Sequence, residues 1–187
     1  MTNRLFRWSL PLAASAGLLA AGAAGALAED IKIAHVYGKT GPFEAYAKQS
    51  HTGLMMGLEY ATDGSMEIDG RKIVVIEKDT QLKPDIGKAA LAEAYGDDEV
   101  DIAVGPVSSG VALAMLPVAE EYEKLLIVEP AVADSITGNN WNRYVFRTSR
   151  NSSQDAIANA VALGQEGVSI ATLAQDYAFG RDGVAAY

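Results

Sequence analysis

The sequence of 187 residues is acidic, with 24 Asp and Glu against 15 Lys and Arg and a net charge of −9. That balance argues against nucleic acid or an anionic membrane surface as partner, because both demand a basic face. The lack of cysteine excludes disulfides and thiolate metal sites, and 49% hydrophobic residues is the content of a folded chain, not a disordered one.

Residues 1–28 read as a secretory signal peptide. Arg4 and Arg7 give a positive start, Leu10 to Ala24 is an apolar run, and Ala26-Leu27-Ala28 is a small-x-small cleavage site. A membrane anchor is the rival reading. The apolar run is short for a bilayer span and is broken by Pro11 and several glycines, which weighs against it. With no Cys after the run and no adjacent arginine pair, neither a lipid anchor nor a twin-arginine signal is expected. Removal of the segment takes away two arginines and no acid, so the remainder is more acidic still.

Beyond the leader, short apolar β-type runs alternate with helical stretches. Ile31 to Val36 is the first predicted strand, and Pro42 opens a helix to about Thr62 with Tyr46, Leu54, Leu58 and Ala61 at helical spacing. Gly64 to Gly70 reads as a turn and Lys72 to Glu77 as the second strand. Pro84 starts a second helix, for which Gly96 suits a C-terminal cap. Asp97, Asp98 and Glu99 read as a solvated turn. Asp101 to Val104 is a third strand, Ser109 precedes a helix ending near Tyr122, and Leu125 to Val128 is a fourth strand. Pro117 falls inside that third helix and costs it a hydrogen bond or a kink. Tyr144 to Arg147 is a further short strand. Ser152-Ser153-Gln154-Asp155 resembles a capping box opening a helix through Leu163. Val168 to Leu173 is predicted as a strand, and a last helix begins near Phe179. Continuous apolar strands joined by helices imply an α/β fold: a mostly parallel sheet with helices on both faces. The first α/β lobe is assigned to 29–147 and the start of a second to 148–187.

Ligands in such sheets bind beyond the carboxyl ends of the strands. Four loops leave those ends: Tyr37 to Pro42, Gly105 to Gly110, Glu129 to Ala133, and Asp176 to Gly180. In the second, Ser108 and Ser109 sit at a helix start, where unpaired N–H groups and a partial positive charge suit a carboxylate. The plainer reading is that Ser109 is only an N-cap. His35 and His51 read as structural residues, and Arg147 and Arg150 as partners of surface acids. No paired His, Gly-x-Gly-x-x-Gly, Walker loop or Gly-x-Ser-x-Gly elbow is present, so no metal, cofactor or catalytic group is expected.

Taken in order, Thr40-Gly41-Pro42 with Tyr46, Val104 to Ser109, Glu129-Pro130-Ala131, Phe146-Arg147-Thr148, Asn151 to Gln154 and Asp176 to Gly180 resemble the type I periplasmic binding proteins of the leucine/isoleucine/valine-binding class. The resemblance implies two α/β lobes closing on a ligand, location in the periplasm, and delivery of a small carboxylate to the membrane permease of an ABC importer. By position, Ser109 with Ser108 resembles the carboxylate site, Ala131 the residue whose backbone joins it, and Tyr46 an aromatic wall. Where amino-acid binders of the class carry hydroxyls, this chain has Ala133 and Phe179. Hence an aromatic or other apolar acid stands beside a branched-chain amino acid as ligand, with Tyr37 a further wall. An exported sensor would share the same lobes.

Overall fold

The computed structural model describes residues 29–187, so the leader prediction lies outside the described residues. The elements follow in the order β1 (Ile31–Tyr37), α1 (Glu44–Ala61), β2 (Glu67–Ile68), β3 (Arg71–Asp79), α2 (Pro84–Gly96), β4 (Ile102–Val104), α3 (Ser109–Glu121), β5 (Leu125–Val128), a 3-10 turn (Asp134–Ile136), β6 (Val145–Arg147), α4 (Ser152–Leu163) and α5 (Ala178–Ala186). The strands form one sheet in the order β2-β3-β1-β4-β5-β6, parallel except for β2.

Register explains how so apolar a set of strands buries two faces. Ile76, Ala34, Ala103, Leu126 and Val145 stand side by side across β3, β1, β4, β5 and β6. They meet Leu91, Val111, Met115 and Leu116 of α2 and α3 in the main core. One residue further along each strand the period of two turns the side chains over, giving the row Glu77, His35, Val104, Ile127 and Phe146 on the opposite face. There α1 reaches over the β3–β1 half: His51 bonds His35 across the gap. Beyond it Val104 and Ile127 line an open groove, with Phe146 exposed.

Several local expectations shift. Glu67-Ile68, read as a turn, pairs with Arg71-Lys72 as a hairpin, because Asp69 and Gly70 both take positive φ (52° and 77°). Gly96 lies within α2, whose C-cap is Asp97, and it faces the Tyr122 ring, where a Cβ would come within 3.2 Å of the hydroxyl. Asp98 is not merely solvated: it takes the Lys78 ammonium at 2.6 Å. Pro117 sits on the exposed side of α3, and the helix continues through it. The capping box starts one residue earlier than read: Asn151 accepts from the Gln154 N–H, and its own N–H donates to the Gln154 side chain, both at 2.9 Å. Val168 to Leu173 is no strand. A strand is held by a neighbour's hydrogen bonds, and among the described residues nothing pairs with this segment.

Candidate functional site

The chain leaves β1 through α1 toward β3 and returns through α2 to β4 on the other side of β1. Loops diverge at that switch and leave a crevice at the carboxyl ends of β1 and β4. Gly105 sets its floor. It follows β4 at φ 125°, and a Cβ there would lie 2.0 Å from the Val36 carbonyl oxygen, so only glycine lets the β4 loop pass this close to β1.

Beyond it, Ser108 is the N-cap of α3, extended at φ −85° and ψ 125°, and its side chain makes no capping bond. Ser109 is the first helical residue, so the reading of Ser109 as a cap fails. Its hydroxyl instead accepts the Ala133 N–H at 3.2 Å in a buried contact, leaving the hydroxyl hydrogen free to donate. The first intrahelical bond shown runs from the Ala112 N–H to the Ser108 carbonyl, so the earlier N–H groups of α3 have no partner within the helix.

The loop that brings Ala133 here is tied down on three sides. The Ala131 N–H donates to the Pro106 carbonyl at 3.3 Å. Arg147 donates to the Ala133 carbonyl at 2.8 Å and to the Thr137 hydroxyl, so it serves this loop and no surface acid. Ser152 and Ser153, opening α4, bond the Val132 carbonyl and the Asp134 carboxylate. These bonds fix the loop whose Pro130 and Val132 line the crevice, and such fixation limits the ordering cost of binding.

The result is a cleft of about 300 Å³. The α1 end contributes Phe43 and Tyr46, and the β4 and β5 loops contribute Val107, Ser109, Pro130 and Val132. Arg150 enters after β6, and Gln175, Tyr177 and Phe179 close the far side. Ser109, Tyr46 and Phe179 thus share one lining. Ser108, Ala131 and Ala133 are buried just behind the surface. Sequence reasoning misses Phe43, Arg150, Gln175 and Tyr177 as lining residues, although Tyr177 lies within the Asp176 to Gly180 loop and the other three directly adjoin named segments. Gly180 holds the far wall in place: a Cβ would stand 2.0 Å from the Gln175 carbonyl. Burial pushes the Tyr177 phenol up, so it stays neutral. Among the described residues Arg150 is the one charged side chain on the lining.

Tyr37 is not a wall of this cleft. Its side chain points with that of His35 toward α1, stacked on the imidazole at 4.1 Å, with its hydroxyl on Glu77. His35 is fully buried, its Nδ1 lies 3.0 Å from Nδ1 of His51, and its Nε2 has no partner among the described residues. Burial and the neighbouring His51 pull its pKa down to about 4. This cluster fastens α1, which carries Tyr46, to the sheet.

Residues 30–187 match the family described as periplasmic binding protein. The fold resembles the crystal structure of an ABC-type branched-chain amino acid transporter from Rhodopseudomonas palustris CGA009, with a TM-score of 0.74 and 76% identity, over 84% of this chain and 42% of that one. It also resembles a solute binding protein of an ABC transporter from Rhodopseudomonas palustris BisB5 in complex with 3,4-dihydroxy benzoic acid, with a TM-score of 0.74 and 29% identity, over 84% and 42% of the two chains. A Leu/Ile/Val-binding protein of Rhizobium johnstonii is 30% identical over 134 residues, 72% of this chain and 36% of that protein. The chain therefore spans less than half the length of each of these proteins.

Proposed function

This chain belongs to the periplasmic binding protein family, and from that premise we propose that it forms the first lobe and the opening of the second lobe of an exported solute-binding protein. The protein captures a small carboxylate in the periplasm and hands it to the membrane permease of an ABC importer. Residues 1–28 are its leader, 29–147 its first lobe, and 148–187 the start of its second.

The observation that carries this reading is the junction of Ser109 with Ala133 at the start of α3. A buried hydroxyl with a free hydrogen, N–H groups without helical partners, and the positive end of the helix face one cleft. Ser109 donates to the ligand carboxylate, with Ser108 and the backbone from Ala131 to Ala133 supporting it, while Tyr46 and Phe179 wall the apolar part. Binding fits this cleft better than catalysis. The Ser109 hydroxyl meets a peptide N–H, and among the described residues no His, Asp or Glu lines the cleft to take its proton.

A second reading, an aromatic acid as ligand, is favoured by the lining itself. Phe43, Tyr46, Tyr177 and Phe179 present four rings, and the only side-chain acceptors beside them among the described residues are neutral, the Ser109, Tyr46 and Tyr177 hydroxyls and the Gln175 amide. The similar solute binding protein with 3,4-dihydroxy benzoic acid supports it. A thermal-shift screen of the complete protein over aliphatic amino acids and benzoate-type acids, followed by calorimetry, tests both. Tight leucine binding without any aromatic acid removes the second reading, and no binding by any carboxylate removes the first.

A further inference from the structure

Arg150 is the feature of the cleft that neither the fold nor the carboxylate seat explains. It stands between β6 and α4, and its side chain is 59% exposed. It meets Asp155 in the first turn of α4 through Nε alone, which lies 2.8 Å from both carboxylate oxygens. Among the described residues its two terminal nitrogens make no hydrogen bond. Guanidinium groups recognise acceptors through a planar fork of donors, and Arg150 lines the cleft with part of its fork unspent.

Among the described residues the rest of the lining holds no counter-charge. Asp155 is engaged by Arg150, and Glu129, which borders the neighbouring groove, accepts the Thr148 hydroxyl at 2.6 Å. A zwitterionic ligand would bring its ammonium into a closing cleft with a cation on the wall and no carboxylate to receive it. The acceptors on this lining are neutral, the Gln175 amide and the Tyr46 and Tyr177 hydroxyls, and exchanging the hydration of an ammonium for these without a carboxylate costs free energy. A ligand lacking the ammonium avoids this cost and gains donors from Arg150.

On the reading of the chain as a carboxylate binder, we propose that Arg150 is the residue that sets the charge class of the ligand. Its terminal nitrogens take an acceptor oxygen of the bound molecule and disfavour a ligand ammonium, so the site selects acids without an amino group over the matching amino acids. Asp155 aims the guanidinium.

The test uses pairs that differ only in the ammonium: 3-phenylpropanoate against L-phenylalanine, and 4-methylpentanoate against L-leucine, by calorimetry on the complete protein. The amino-free acid binds at least about tenfold tighter in each pair. R150Q weakens the acids about ten- to hundredfold and narrows the ratio within each pair, whereas R150K keeps the charge and restores part of the preference. A role confined to holding α4 through Asp155 would lower the melting temperature of R150Q and D155N alike and leave the ratio unchanged. That outcome overturns the proposal, as does a wild-type preference for the amino acids. Both results leave carboxylate binding itself intact. Failure of all four compounds to bind overturns the functional reading, and this inference with it.

Discussion

Acid should weaken the folded state of this protein in a range where its carboxylates are still ionised, and His35 is the reason. Folded, the buried imidazole stays neutral down to about pH 4; unfolded, it takes its proton at the ordinary value of 6.5. The folded pKa is the depressed one, so this contribution to stability is complete above pH 6.5 and disappears as the pH falls toward 4. At about 1.4 kcal/mol per pH unit, the interval corresponds to a loss of about 3 kcal/mol. The geometry agrees. Two Nδ1 atoms 3.0 Å apart can share one proton but cannot both carry one, and the flanking Tyr37 hydroxyl is committed to Glu77. The Tyr37 hydroxyl also holds Glu77 below its ordinary 4.5, with Lys39 at 3.1 Å assisting, so Glu77 adds its own loss at lower pH. Urea melts of the complete protein between pH 7.5 and 4.5, compared with those of His35→Leu, isolate the imidazole. The wild type should lose most of those 3 kcal/mol over this range and the variant should lose much less. Parallel curves for the two proteins would refute the reasoning.

Asn151→Ala removes the side-chain half of the capping box of α4, the acceptor for the Gln154 N–H, and should cost about 1 kcal/mol, read as a shifted urea midpoint with an unchanged slope. Gly105→Ala forces a Cβ onto the Val36 carbonyl at a positive φ and should cost at least about 3 kcal/mol, read the same way. Residues 29–187 alone should bind any ligand of the complete protein far more weakly in calorimetry, because a cleft closed by two lobes buries its ligand from both sides. Equal affinity would contradict the two-lobe reading.

The sheet was largely legible because its strands are short continuous apolar runs bounded by helix-start signals such as Pro42 and Pro84. The same continuity hid the facing of individual residues. With both faces covered, Ala34 and Val36 look no different in sequence from His35 and Tyr37, so nothing local said that Tyr37 turns toward α1 and away from the cleft. The hairpin at Glu67 carried a readable signal in Asp69-Gly70, the dipeptide that favours two positive φ values. Val168 to Leu173 has the composition of a strand, but composition supplies no neighbour to bond. In the site, Ser109, Tyr46 and Phe179 stood in segments that resemble a known pattern. Arg150 was legible as a charge but not as a wall. Its place in the cleft depends on how α4 and the segment before α5 fold back onto the β4 and β5 loops, which no local spacing encodes.

The carboxylate seat at Ser109 is tested most directly by calorimetry of the complete protein with 3-phenylpropanoate and with its primary amide, in the wild type and in Ser109→Ala. Hydrogen bonds to charged groups contribute about 1.5–3 kcal/mol, so the variant should bind the acid roughly ten- to hundredfold more weakly, and the preference for acid over amide should shrink with it. A Ser109→Ala protein that binds the acid as tightly as the wild type, with the same preference over the amide, would contradict the account.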